Sequence, residues 1–148
     1  MTLYKSEFGY RLVGFLVVLF LSINGFMIFQ NEPIEEILSV SGIHLLVLSF
    51  FLYLHFSTAY TIHDHGILNV KCGFMYNKSF DINKIKSIRK SNNMISSPAP
   101  SMDRIELAYG TFNVIVISPK NKIQFAKELT KINPNIENRL NEKANTTL

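Results

Sequence analysis

Two stretches of the 148-residue chain carry no Asp, Glu, Lys or Arg: the eighteen residues from Leu12 to Phe29 and the twenty-six from Ile37 to Ile62. A membrane-crossing helix needs about 20 mostly apolar residues, so both runs are long enough. A domain this small can hardly bury two such segments as core helices. The pattern predicts transmembrane helices at about 12–29 and 37–57, joined by an outer loop over 30–36. A signal peptide is the other reading of the first run, with Lys5 and Arg11 as its charged start. Against it, the run is long for a signal core, and the bulky Phe26-Met27-Ile28-Phe29-Gln30 offers no small-x-small cleavage site.

Past the second predicted helix the period changes. Thr58 to Ile62 is rich in β-branched and aromatic residues and reads as a strand, followed by a turn at His63-Asp64-His65-Gly66. Further strands are predicted at Ile67–Lys71 and Lys78–Asp81. Ile82, Ile85 and Ile88 step by three, which suggests a helical turn leading into a strand over Lys86–Lys90. Arg104–Tyr109 alternates polar and apolar, and Asn113–Ser118 carries the run Val114 to Ile117, which suggests a central or doubly covered strand. Ser118-Pro119 then reads as a helix start. Phe125, Ala126, Leu129 and Ile132 form one apolar stripe, and Pro134 ends the helix. A polar tail covers 134–148, with a short helix expected at Ile136–Leu140. No helices lie between the strands, which favours a bent antiparallel sheet over a parallel one. The fold class is therefore a membrane-anchored α+β protein: a transmembrane hairpin over 1–57, then an antiparallel β-barrel or roll over 58–133, capped by a C-terminal α-helix at about 119–132.

Charge orients this plan. The connector from Gln30 to Glu36 holds three acids and no base. Lys5 and Arg11 precede the first helix, and after Ile62 thirteen Lys or Arg face seven Asp or Glu. The positive-inside tendency puts both ends in the cytoplasm and the acidic connector outside. Ser22, Asn24, Gly25, Ser39, Ser41, Gly42 and His44 are read as helix-packing positions. His44 and His55, eleven residues apart, share a face and are read as packing histidines rather than a proton path. Cys72 is the only cysteine, so an intrachain disulfide is impossible.

Candidate chemistry is thin. In "SSPAPSMDRIELAYG", residues 96–110, Ser96 and Ser97 lack a G-x-S-x-G frame. Ser87-Ile88-Arg89-Lys90 matches S-x-x-K only formally, without its companion motifs. Pro98 and Pro100 stiffen a crossing loop, and Asp103 and Arg104 are candidates to tether it by a charge-assisted contact. His63 and His65 would point the same way on a strand, with Cys72 expected near them on the paired strand, but no convincing remaining ligand set accompanies them. They read as exposed turn histidines. Lys84, Lys86, Arg89 and Lys90 form the densest basic patch, a candidate anionic-lipid contact or a solvated face. The charge excess is modest and no stacking aromatics accompany the patch, so nucleic acid is not an expected partner. No Gly-rich phosphate loop is present, and no metal or other cofactor is expected.

Thr61 to Gly66, "DINKIKSIRKSNN", "SSPAPSMDRIELAYG" and "VIVISPKNK" resemble, in that order, the bacterial PH-like domain family named after YyaB. The resemblance covers roughly Ala59 to Ile132. Its most specific parts are Ser96-Ser97-Pro98-Ala99, Asp103-Arg104 and Ile117-Ser118-Pro119-Lys120, with Pro100 where leucine would be expected. It implies a PH-like β-barrel with a C-terminal helix, often preceded by membrane helices, and no known reaction. Lipid-binding members of the wider superfamily use a basic first hairpin loop. Here that loop, His63 to Gly66, has no Lys or Arg, so specific inositide binding is not implied. The expectation is a non-enzymatic interaction or scaffold protein of the bacterial cytoplasmic membrane, with both termini inside. Its partners would be the bilayer and a protein, with self-association open. A small immunity or envelope-protection protein against a bacteriocin or toxin is the alternative, and a hydrolase with an unrecognised site is the third reading.

Overall fold

The computed structural model describes residues 1–91, 101–110 and 113–140. The two uncharged runs form α1 (Tyr10–Phe29) and α2 (Ile34–Phe56). Their 20 and 23 residues give lengths of about 30 and 35 Å at 1.5 Å per residue, enough to cross a hydrocarbon core. No part of either apolar window is buried. Helix α2 begins earlier than the predicted 37 because Glu35 and Glu36 join its first turn, where the helix dipole favours acids.

The hairpin is held by part of the polar set expected to pack it. Ser41 Oγ donates to Asn24 Oδ1 at 2.7 Å, Asn24 Nδ2 lies 3.0 Å from His44 Nδ1, and the His44 ring stacks on Phe20 with centroids 4.2 Å apart. Ser22 and Ser39 instead donate back to carbonyls of their own helices, at Val18 and Glu35. His55 is buried against the edge of Phe8, well away from His44's contacts.

A strand absent from the sequence prediction, β1 (Thr2–Lys5), precedes α1. It pairs antiparallel with β2 (Thr58–His63), in register from Thr2↔Ile62 to Lys5↔Ala59. The helical hairpin is thus an insertion between two neighbouring strands. With β3 (Ile67–Cys72) and β4 (Tyr76–Asp81) they make a sheet of order β1-β2-β3-β4. A 3-10 turn at Ile82–Lys84 leads into the second sheet. Its strands are β5 (Ile85–Ser91), β6 (Arg104–Tyr109), β7 (Asn113–Ile117) and β8 (Glu137–Asn138), in the order β7-β6-β5-β8. The final helix, α3 (Lys122–Ile132), completes the fold.

Alternation builds the core. Tyr60, Ile62, Leu68 and Val70 point inward from the first sheet, and Ile88, Ile105, Leu107 and Ile117 from the second. The stripe expected on α3 meets them: Phe125, Ala126 and Leu129 are fully buried and Ile132 packs at the margin. Asn133, at the end of α3, donates to the carbonyls of Ile82 and Ile85 at 3.1 and 3.3 Å, which ties the helix to the corner between the sheets. The outer strands are β1 and β4 in the first sheet and β7 and β8 in the second, and β4 and β7 flank an open seam.

Three local expectations change, and one narrows. Helix α3 starts at Lys122, because Ser118 to Lys120 are already engaged with the end of β1. The Ser118 carbonyl accepts from the Glu7 N–H at 2.7 Å, Pro119 forms an isolated bridge with Ser6, and the Lys120 N–H donates to the Lys5 carbonyl at 3.0 Å. Strand β7 is an edge rather than central, and of the two alternatives expected for it the doubly covered one holds, since Ile115, Val116 and Ile117 on its two faces are all buried. Residues 136–140 do not form a helix. Ile136 is buried, Glu137 and Asn138 run parallel to β5, and the Arg139 N–H donates to the Ile88 carbonyl at 2.8 Å, so this part of the expected tail covers the outer side of β5. Lastly, Cys72 is far from the histidines. It pairs with Thr58, whereas His63 pairs with Ile67, about 17 Å along the strand.

Candidate interaction surface

The open seam is the largest concave feature among the described cavities, a groove of about 750 Å³ between β4 and β7. Phe80 of β4 meets Tyr109 of β6 edge to face, with centroids 5.5 Å apart, and the two rings join the sheets along it. Tyr76 lines one wall, where burial pushes its phenol above the ordinary value. The Lys78 ammonium sits 5.5 Å from the Tyr76 ring centroid, and Val114, 50 % exposed, lines the opposite wall. Leu54 of α2, Cys72 and Met75 also line the groove. Two edge strands with outward backbone donors and acceptors, flanking an apolar trough, can take an added strand or an apolar chain.

The sequence candidates are placed unevenly. Ser96, Ser97 and Pro98 lie outside the described residues, as does Pro100. Asp103 forms an ion pair with Lys122 at the start of α3, and its N–H donates to Ser101 Oγ at 3.2 Å. Arg104 donates through Nε to the Ser101 carbonyl, and burial lowers its pKa from the usual arginine value.

The basic candidates are not gathered into one patch. Lys84 and Lys90 stand at opposite ends of β5, about 20 Å apart. Arg89 is paired with Glu106, a nearly buried carboxylate that also accepts from Ser91 Oγ at 3.3 Å. Lys90 points to the other side of the strand. There it lines a cleft of about 440 Å³ at the start of α1, together with Arg11, Glu7 and Asp103. The mixed signs of those four groups leave that cleft without a dominant field.

Two polar clusters escaped sequence reasoning. Ser6 Oγ and Ser118 Oγ are 2.9 Å apart, and the Ser118 N–H donates to the Tyr60 hydroxyl at 3.1 Å. These three buried groups come from β2 and from the segments following β1 and β7. Bonds among hydroxyls and backbone groups make this cluster a latch between the three segments. Glu128 of α3 accepts from Thr2 and from the Tyr4 hydroxyl, and desolvation together with Glu128 pushes the Tyr4 phenol up to about 12. The only available signal was an alternation four residues long in front of α1.

His63 and His65 lie with ring centroids 5.2 Å apart, and among the described residues no group of three His, Cys, Asp or Glu could hold a metal ion.

Comparison with known proteins places residues 58–133, just over half of the chain, in a family described as Bacterial PH domain. No curated protein and no solved structure gave a match.

Proposed function

The chain belongs to the bacterial PH domain family, and on that premise we propose that it is a membrane-anchored, non-enzymatic interaction protein. The hairpin α1–α2 spans the cytoplasmic membrane, both chain ends lie in the cytoplasm, and the PH-like roll stands directly on the membrane surface. The observation that carries this reading is the insertion of two lipid-length helices between the paired strands β1 and β2. Only Ser57 separates α2 from β2, and only four residues separate β1 from α1, so the roll has no flexible tether. A PH-like module held this way offers one face of fixed height above the bilayer. The groove between β4 and β7 is the surface that would receive a protein partner.

The test has two parts. An alkaline-phosphatase reporter fused after Leu148 should be inactive in cells, and periplasmic activity there would overturn the topology. A photo-crosslinking residue at Val114, in the groove, should give a discrete protein adduct in native membranes. The same residue at Lys71, an exposed position outside the groove, should not. Indistinguishable adducts from the two positions would remove the groove as the docking surface.

A further inference from the structure

We propose that the β3–β4 turn is a third membrane contact, with Phe74 and Met75 inserting into the cytoplasmic interface of the bilayer beside α2. This rests on the reading that α1 and α2 span the membrane. Phe74 is 77 % exposed and Met75 66 % exposed, two large apolar side chains at the tip of a two-strand turn. The turn itself needs only Gly73, whose φ of +55° an L side chain rarely adopts. Nothing in the folding of β3 onto β4 calls for apolar bulk at the next two positions.

The turn is fastened against the end of α2. The Gly73 N–H donates to the Ser57 carbonyl at 3.4 Å, and a Cβ on Gly73 would come within 3.1 Å of Leu54 Cδ2. The Phe74 ring lies 6.1 Å from that of Tyr53. Tyr53 stands four residues before Ser57, so Phe74 reaches about 6 Å back along the helix from its end. Tyr53 and Phe56 are themselves exposed, and with Phe74 and Met75 they continue the apolar surface of α2.

That continuity identifies the occupant. A helix face that meets lipid extends without a break onto the turn, at the depth where amphipathic rings favour the bilayer boundary. Behind the apolar tip come Lys71 on β3 and Lys78 on β4, placed to meet anionic headgroups. The partner is therefore a lipid surface. The contact would fix the tilt of the roll and set one end of the β4–β7 groove, where Leu54, Cys72 and Met75 lie, at the membrane boundary.

The chain has no tryptophan, so a single introduced one reports cleanly. Full-length F74W, H65W and F50W variants would be reconstituted in vesicles of phosphatidylcholine and phosphatidylglycerol, with and without acyl-chain-brominated phosphatidylcholine. His65 lies in the exposed turn at the far end of β2 and β3, and Phe50 lies within α2. We expect bromine to quench F74W and F50W, with blue-shifted emission, and to leave H65W unchanged. Quenching of F50W without F74W overturns the turn contact while the anchor stands. A blue-shifted but unquenched F74W means a protein covers the turn, which also overturns it. An unquenched F50W removes the anchor and the turn contact together.

Discussion

The ring of Tyr4 stands edge-on to that of Phe125, with centroids 5.1 Å apart and planes at 88°. One ring precedes both long helices and the other follows every strand of the two sheets except β8. Residues that the hairpin separates in sequence therefore share one core, and the Tyr4 hydroxyl adds a bond to Glu128 on the same helix.

Replacing Tyr4 divides this contact into its parts. Tyr4→Ala removes a nearly buried aromatic and should cost about 3 kcal/mol or more. Tyr4→Phe keeps the ring and loses the hydroxyl bond, for about 1 kcal/mol. Urea unfolding of the purified protein in a fixed detergent, followed by circular dichroism, separates the two. Equal losses from both variants would mean that the ring contributes nothing.

The strand pairing also predicts what survives removal of the helices. Ser6 donates its N–H to Thr58 at 3.3 Å, so the two chain segments entering the hairpin lie side by side. Joining Glu7 to Ser57 through a two-residue Asn-Gly turn should yield a water-soluble β-rich domain. A chain beginning at Thr58 lacks β1 and Tyr4, exposes the edge of β2, and should melt lower or aggregate. The comparison is one of thermal midpoints, and equal midpoints would show that β1 is dispensable.

The location of β1 also explains what the sequence could and could not reveal. Long uncharged runs announce α1 and α2 without reference to anything else in the chain. The stripe Phe125, Ala126, Leu129 and Ile132 does the same for α3, and alternation does so for β6. Thr2–Lys5 is too short to carry a period, and its partner lies beyond both helices, so its strand state is decided by pairing alone. The same holds for Glu137 and Asn138, which read as helix until β5 offers a parallel edge. Ser118-Pro119 has the composition of a helix start, but the hydroxyl latch and the bridge to Ser6 engage it first. At the candidate surface, Phe80 and Tyr109 were visible as aromatic residues. That they meet across the seam is a property of sheet order, which no local pattern encodes.

High pH should weaken the domain through its buried phenols. The Tyr4 phenol is raised to about 12 and that of Tyr60 is raised by burial, whereas both titrate near the usual 10 once unfolded. Above pH 10 the unfolded chain releases these protons first. Stability is therefore full below that pH and falls as the pH climbs through 10 towards 12. Unfolding midpoints across this range should drop less steeply in the Tyr4→Phe variant. Phenolate absorbance should show Tyr4, Tyr60 and Tyr76 titrating late, and simultaneous titration of all three near 10 would refute the shifts.

Glu106 is held nearly buried by Arg89 and Ser91. Arg89→Ala strands that carboxylate and should destabilise the protein more than the double change Arg89→Ala with Glu106→Gln. A double-mutant cycle should return a coupling of about 1 kcal/mol. A coupling of zero would reduce the pair to a surface contact.

The pairing of β1 with β2 has a consequence for biosynthesis. The first strand leaves the ribosome before either helix, and its partner emerges only after both. On the proposed reading that both helices span the membrane, insertion of one helix without the other would leave the two strands facing different compartments, and the first sheet could not close. On that reading, completion of the roll is conditional on both helices crossing. A misinserted chain would remain unfolded at the membrane surface, exposed to quality-control proteases.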